Sequence, residues 1–386
     1  MTNEKKPKIL VVGYLPPPQE GTAKITEVII NSDYLNNKYE LKLLSLAKRK
    51  KTAERGKFSA INVIITIYNC IKYLYYVIRF NPQIIYMPLA QNKFGFLRDS
   101  IFILIDRIFG KKICLHFHGG SFDIFLANSS SIYKKYIKFV LSKVNIIILL
   151  ANKLQYQFIN IVPENSIKTL YNPSPLSKNI YENIPEKKKA DNALNILFIG
   201  YISKAKGALD LARAVPLVKK GFKGNLTVNL CGHAVNVERN IKYINEPDGG
   251  YSKILEIIKE NNLQEELKLL GQVDDEKKDK LFRNADIFVF PSYSEGCPIA
   301  VMEAMSYGLP LIVTPVGALD EMLKEGENCL FIKPGDYSAI AEKILYLINS
   351  PEKRKEMGKN NYELVRTKYN PEVFCIGLSK IWGEIV

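Results

Sequence analysis

The chain has 386 residues, 47% hydrophobic and 24% charged, a mix that excludes disorder, collagen and coiled coil as descriptions of the whole. At ~100–200 residues per domain its length suggests two domains. The formal charge of +15 lies in the first part, because residues 1–172 hold 25 basic and 10 acidic side chains while residues 173–386 hold 29 of each.

In chain order, Lys8 to Gly13 reads as a buried strand ending in glycine, followed by a helix around Thr22 to Leu35. Strands are then predicted at Tyr39 to Leu44, Asn81 to Met87, Lys112 to His116 and Asn145 to Leu150, with helices near 59–80, 96–109 and 131–142. Continuous apolar strands alternating with helices imply a parallel sheet covered on both faces. The pattern breaks at Tyr171-Asn172-Pro173-Ser174-Pro175, and the prolines followed by Lys187-Lys188-Lys189 read as a linker. It restarts with strands at Asn195 to Gly200, Asn225 to Cys231, Leu267 to Leu270, Ile287 to Pro291, Pro310 to Thr314 and Cys329 to Ile332. A last helical pattern covers Pro371 to Val386. The division is a domain over 1–172, a linker over 173–193, a second domain over 194–365 and a closing helix within 366–386. Both domains open with a strand and a glycine loop, and ligands of such sheets bind beyond the carboxyl ends of the strands.

The six cysteines are far apart and contain no CxxC, so neither a disulfide framework nor a zinc site is expected and a reducing compartment is. Met1 to Leu10 has no cleavage pattern, and the uncharged stretch Phe58 to Ile71 is short of the ~20 residues of a spanning helix, so neither a signal peptide nor a spanning segment is expected.

The densest chemistry lies between Pro291 and Met305. A strand ends at Pro291, a glycine loop follows, and Pro298 suits the first turn of a helix. The amides around Gly296, Cys297, Pro298 and Ile299 then form an anion site suited to a diphosphate. A carboxylate beside bound diphosphate is repelled by it, so Glu295 and Glu303 are better placed on sugar or ribose hydroxyls.

This segment resembles the signature of the retaining glycosyltransferases of family 4, a glutamate pair seven residues apart in a "PS…EG.P…EAM..G.P" frame. The match runs on through Tyr307 to Thr314, Gly317, Glu321, Gly326, Asn328 to Leu330 and Pro334-Gly335-Asp336. The resemblance implies an α/β protein of the GT-B fold, with two Rossmann-like domains facing across a cleft and a C-terminal helix crossing back to the first. It implies a ribose ligand in Glu303 and a sugar-facing carboxylate in Glu295. Gly200-Tyr201-Ile202-Ser203-Lys204-Ala205-Lys206-Gly207 resembles the family's "GR(L/I)xxxKG" loop, in which Arg and Lys clamp the donor diphosphate. Lys206 and Gly207 match; Tyr201 stands where Arg is usual, with Lys204 a substitute cation. Gly271-Gln272-Val273 matches the stretch lining the nucleotide base. In the first domain, His118 of His118-Gly119-Gly120-Ser121 matches the His-Gly that reaches the donor sugar, whereas His116 reads as core. Gly21 matches the second glycine of the family's first loop, with Glu20 in place of the first.

The resemblance further implies no metal or other cofactor, a nucleotide-sugar co-substrate, and a saccharide or lipid-linked saccharide acceptor, as in bacterial surface polysaccharide assembly. Asp274-Asp275-Glu276 reads as a helix start favoured by the dipole. A sugar-nucleotide-binding protein without turnover and a GT-B epimerase remain alternatives. Lys48-Arg49-Lys50-Lys51, Arg55 and Lys57, and Lys134, Lys135 and Lys138, are interleaved with aromatics. This suits an anionic membrane surface, and hence a cytoplasmic protein peripheral on the inner membrane face. No motif supports nucleic acid.

Overall fold

A computed structural model describes residues 5–16, 21–46, 60–174, 192–234 and 250–386. Contacts divide the chain into one unit of Met1–Pro175 with Asn370–Val386, and a second of Leu176–Tyr369.

The first unit is built on β1 (Lys8–Gly13), β2 (Glu40–Ser45), β3 (Ile84–Pro88), β4 (Lys112–Phe117), β5 (Ile146–Leu149) and β6 (Ile167–Thr169). They form one parallel sheet in the order β2-β1-β3-β4-β5-β6. The central strands are buried along nearly their whole length, which is why they read as unbroken apolar runs. Three details differ from the sequence reading. The first helix is two, Gly21–Ile30 and Asp33–Lys38, because Ser32 leaves the helix and its Oγ accepts from Leu35 N as an N-cap. The third strand starts at Ile84, not Asn81, because Asn81 has φ +50°, a left-handed turn that ends the preceding helix Ala60–Phe80. Strand β6, three residues long, carries too little pattern to be seen in sequence.

The closing helix, Pro371–Gly383, belongs to this unit. Asn370 caps it by accepting from Val373 N at 2.9 Å. Trp382 is fully buried, edge-on to Tyr39 and Tyr86 at centroid distances of 5.4 and 5.8 Å, and Tyr39 Oη donates to Ser379 O at 3.1 Å.

The second unit holds β7 (Ala193–Ile199), β8 (Asn225–Cys231), β9 (Leu267–Gly271), β10 (Ile287–Phe290), β11 (Leu311–Val313) and β12 (Cys329–Phe331). Its parallel order is β12-β11-β10-β7-β8-β9. Strands β7, β8 and β9 run one way from the centre and β10, β11 and β12 the other. The order therefore reverses between β7 and β10, and the carboxyl ends of those two strands open the crevice where such sheets bind ligands.

The loops leaving β7 and β10 touch through backbone. Gly207, at φ +73°, begins the helix Ala208–Gly221, and a Cβ built there would lie 2.1 Å from Pro291 O. Tyr293 N donates to Ala205 O at 2.9 Å. Both the left-handed backbone and the missing space demand glycine. Gly207→Ala is therefore expected to destabilise the second unit by more than ~1 kcal/mol, since strain and overpacking act together. Urea denaturation measures it; unchanged stability would contradict the close approach.

Candidate functional site

Lys206 ends a short 3-10 turn, Lys204–Lys206, in the β7 loop. Its Nζ donates to Glu295 Oε1 at 2.6 Å, and Ser292 Oγ lies 2.6 Å from the same oxygen. Ser292 is buried, its own carbonyl accepting from Thr314 Oγ1. Glu295 is thus drawn toward the β7 loop from a position that is largely out of solvent. Gly296 is pinned from behind: its carbonyl accepts from Ala318 N at 2.7 Å, and Gly317, at φ +58°, leaves it room. Tyr201 is exposed, and Lys204 lies close enough to Asp210 to oppose the upward push that burial gives that carboxyl. Asp210 also accepts from Tyr293 Oη at 2.9 Å, tying the β10 loop to the first turn of Ala208–Gly221.

After the loop, Cys297 and Pro298 are buried and the helix Ile299–Ser306 begins. Pro298 is its N-cap rather than its first turn, and it provides no side-chain cap, which leaves the first amides for a ligand. Glu303 is only 2% exposed. Its Oε2 accepts from Lys278 Nζ at 2.5 Å, in the helix Asp275–Asn284 that follows β9. The stretch Gly271-Gln272-Val273 joins β9 to that helix; Gly271 has φ +65° and donates no contact to a built Cβ, while Asp274 caps the helix by accepting from Lys277 N at 2.8 Å. His233 lies exposed after β8 and its carbonyl accepts from Ile202 N at 2.8 Å, a loop role.

In the first unit, His116 is fully buried and lies 4.0 Å, ring to ring, from His118. Tyr86 Oη is 2.6 Å from His116 Nδ1. Burial pushes the His118 imidazole down to about 4, against a raising hydrogen bond from Asn172, so it is neutral at pH 7. His116 is likewise held well below the ordinary imidazole range, by burial and then by His118. Gly119 is backed by Gln91 and Phe117. Ser121 precedes the helix Phe122–Ala127 without capping it; Gln157 Oε1 accepts from Phe122 N at 2.6 Å instead. Gly21 is the exposed first residue of its helix.

The structure thus joins Lys206 to Glu295 and sets Glu303, Gly296, Cys297, Pro298 and Ile299 on one loop and helix, all within the second unit. His118, Gly119, Ser121 and Gly21 stand at carboxyl ends of strands or helix starts of the first. Sequence reading gave no role to Lys278, Ser292, Asn172 or Gln157. Lys278 had a signal: it lies four residues before the buried Phe282, hence on the inner face of its helix, where a lysine needs a reason. A further polar knot ties the loops after β1 and β3: Arg98 donates to Asp99 Oδ1 at 2.6 Å and to Tyr14 Oη at 3.2 Å, and Asp99 Oδ2 accepts from Ala90 N at 2.9 Å. Among the described residues no group of three or more His, Cys, Asp or Glu is placed to hold a metal ion.

Residues 179–364 match the family described as glycosyl transferases group 1. The uncharacterized glycosyltransferase MJ1178 of Methanocaldococcus jannaschii is 34% identical over 151 residues, which is 39% of this chain and 42% of that protein. The capsular polysaccharide biosynthesis glycosyltransferase CapM of Staphylococcus aureus is 27% identical over 66% of this chain and 64% of its own length. Among solved structures, Anabaena HepE in complex with UDP-glucose superposes with a TM-score of 0.71 at 16% identity, covering 98% of this chain and 99% of that one. The structural likeness shows the fold, an α/β protein with two six-stranded parallel sheets, the GT-B fold.

The Glu303–Lys278 pair is buried on one side and largely shielded on the other, so breaking it strands a charge. Lys278→Met is expected to cost ~3 kcal/mol, and adding Glu303→Gln to recover most of it. Urea titrations of the single and double variants measure the coupling; additive losses would show that the two charges stand independently.

Proposed function

We propose that this chain, which matches the glycosyl transferases group 1 family over residues 179–364, is a retaining glycosyltransferase. It moves a hexose from a nucleotide-sugar donor to a saccharide or lipid-linked saccharide acceptor. One observation carries the reading: at the β7/β10 reversal a cation, a carboxylate and an uncapped helix N-terminus come together. A diphosphate joined to a sugar presents the complementary set, negative oxygens beside neutral hydroxyls.

In this reading the amides from Gly296 to Ile299 and Lys206 hold the diphosphate. Glu303, oriented by Lys278, accepts from the ribose hydroxyls, and Gly271 to Val273 line the base. Glu295 faces the sugar. Donor binding sets Lys206 between two anionic partners, the Glu295 carboxylate and the diphosphate. As the bond from the sugar C1 to the diphosphate oxygen breaks, its electron pair leaves on the diphosphate, where Lys206 and the helix amides stabilise it. The acceptor oxygen bonds C1 on the same face and its proton passes to a diphosphate oxygen, so neither a separate base nor a metal is needed. Gly200, Tyr201 and Lys204 flank the donor loop. The first unit, with Gly21, His118, Gly119 and Ser121, takes the acceptor side; His118, neutral at pH 7, is fitted to hydroxyl recognition.

CapM, by its name a capsular polysaccharide enzyme, supports a role in surface polysaccharide assembly at the cytoplasmic face of a membrane. The basic run Lys48 to Lys51, with Arg55 and Lys57, lies outside the described residues. Tyr201, exposed where the family has arginine, favours as a second reading a binder without turnover.

A thermal-shift screen of UDP-, GDP- and ADP-sugars identifies the donor, because a true donor stabilises the fold by mass action. With that donor, Lys206→Ala is expected to lower kcat by ~10²-fold or more and to change KM less, because the negative charge grows in the transition state. Full turnover in this variant removes Lys206 from the mechanism, and stabilisation without any transfer or hydrolysis by the wild type supports the binder. The product anomer, read by NMR, is expected to keep the donor's configuration; an inverted product overturns the retaining assignment.

A further inference from the structure

The helix Ala60–Phe80 is predominantly apolar, yet along its described side chains only one face is covered. The inner face is firmly held. Tyr73 stacks on Phe102 at 4.1 Å between centroids and its hydroxyl donates to Asp106, while Val77 and Phe80 join the core. The outer face consists of Ile64, Ile67, Tyr68, Ile71, Tyr75 and Ile78, spaced three or four apart and more than half exposed, up to 65% at Ile71. The stretch Val63–Phe80, although Lys72 and Arg79 interrupt it, is by length and composition apolar enough to cross a bilayer, and only 22% of it is buried. The Tyr73–Asp106 hydrogen bond holds the inner face of the helix against Lys93–Ile108.

Two neighbouring helices continue the layer. Lys93–Ile108 packs against it through Phe102 and Asp106, and adds Phe94, Leu97 and Ile101 to the exposed apolar surface. Ser131–Leu141 is joined to Lys93–Ile108 through Tyr136 Oη, 2.6 Å from Ser100 Oγ, and through Tyr133 Oη, which donates to Lys93 O at 2.8 Å. On its flank Lys134, Lys135 and Lys138, with Gln157 and Asn160, border a hollow of about 440 Å³ containing one carboxylate, Asp123.

We propose that this three-helix layer seats the first unit on an anionic bilayer, with the outer face of Ala60–Phe80 lying in the interfacial plane and the flanking lysines taking lipid phosphates. Charge decides for lipid over a protein partner. Helices Ala60–Phe80 and Ser131–Leu141 carry five basic residues, Lys72, Arg79, Lys134, Lys135 and Lys138, and no carboxylate. An aliphatic stripe with exposed tyrosines and lysines beside it is the pattern of an in-plane amphipathic anchor. The proposal adds to the transferase reading, from which it takes only a membrane-borne acceptor.

The test is co-sedimentation of the full chain with vesicles of phosphatidylglycerol and of phosphatidylcholine, without donor. Binding to phosphatidylglycerol is expected, and a substantial fraction is expected to remain at about 1 M salt, where charges are screened beyond ~3 Å and only apolar contact persists. The pair Ile67→Glu and Ile71→Glu, exposed and therefore neutral to folding, is expected to weaken binding at least ~10-fold. Lys134→Glu with Lys138→Glu is expected to erase the preference for the anionic lipid. Circular dichroism and nucleotide thermal shifts are expected to stay as in the wild type. A wild-type chain that stays in the supernatant at low salt overturns the proposal. So does a dimer in solution that the isoleucine pair dissociates, since a second copy would then cover the face. Pelleting requires no sugar transfer, so a chain that binds vesicles but transfers nothing leaves this inference standing and refutes the transferase reading.

Discussion

The pairing of β10 beside β7 is the constraint on which the candidate donor site depends. It places two loops far apart in the chain close enough for Gly207 and Pro291 to approach through backbone. The same reversal of strand order leaves a crevice above those ends, since the helices following β7 and β10 diverge to opposite faces. Lys206, Glu295 and the helix amides after Pro298 are consequences of that geometry. Lys206 is far from the other two in the chain, and it and the Glu295 loop are delivered by strands whose register is set by a buried apolar core.

Charge buried around this crevice is held in pairs. Glu295 takes Lys206 and Ser292, Glu303 takes Lys278, and Asp210 takes Tyr293 with Arg213 at 3.8 Å. A buried carboxylate without a partner costs several kcal/mol, which is the physical reason for a polar or cationic partner at each position. In the proposed donor complex the diphosphate would join Glu295 beside Lys206, so that one lysine serves two anions. The first unit solves burial differently. His116 and His118 stay neutral inside it, and Asp106 is pushed well upward by burial, with the Tyr73 hydroxyl as its donor.

The two units also differ at the surface. The second carries nearly balanced charge, and the first carries nearly all of the basic excess together with a helix layer whose outer face is aliphatic and aromatic. These are separate properties, because long-range attraction comes from charge and short-range retention from apolar area. In the first unit both sit on the same side-by-side helices.

The sequence by itself determined the two-part α/β organisation, nearly all the strands and the donor-site signature, because each is local. A buried parallel strand is a continuous apolar run, and the Pro291–Met305 frame keeps its glycine, proline and glutamates within one loop and helix. It also showed His116 as core, because it lies on the same face as His118 but two residues deeper in the strand. The tertiary structure alone decided what depends on long-range partners. Strand order, and with it the β7/β10 crevice, is not written in local periodicity. Lys278 acquired its meaning only when Glu303 arrived from a different helix. Helix Ala60–Phe80 carries aromatic residues on both faces. Only packing showed that Tyr73 and Phe80 go inward while Tyr68 and Tyr75 stay out. A side chain's periodicity tells which residues share a face; what covers that face is settled by the rest of the chain folding against it.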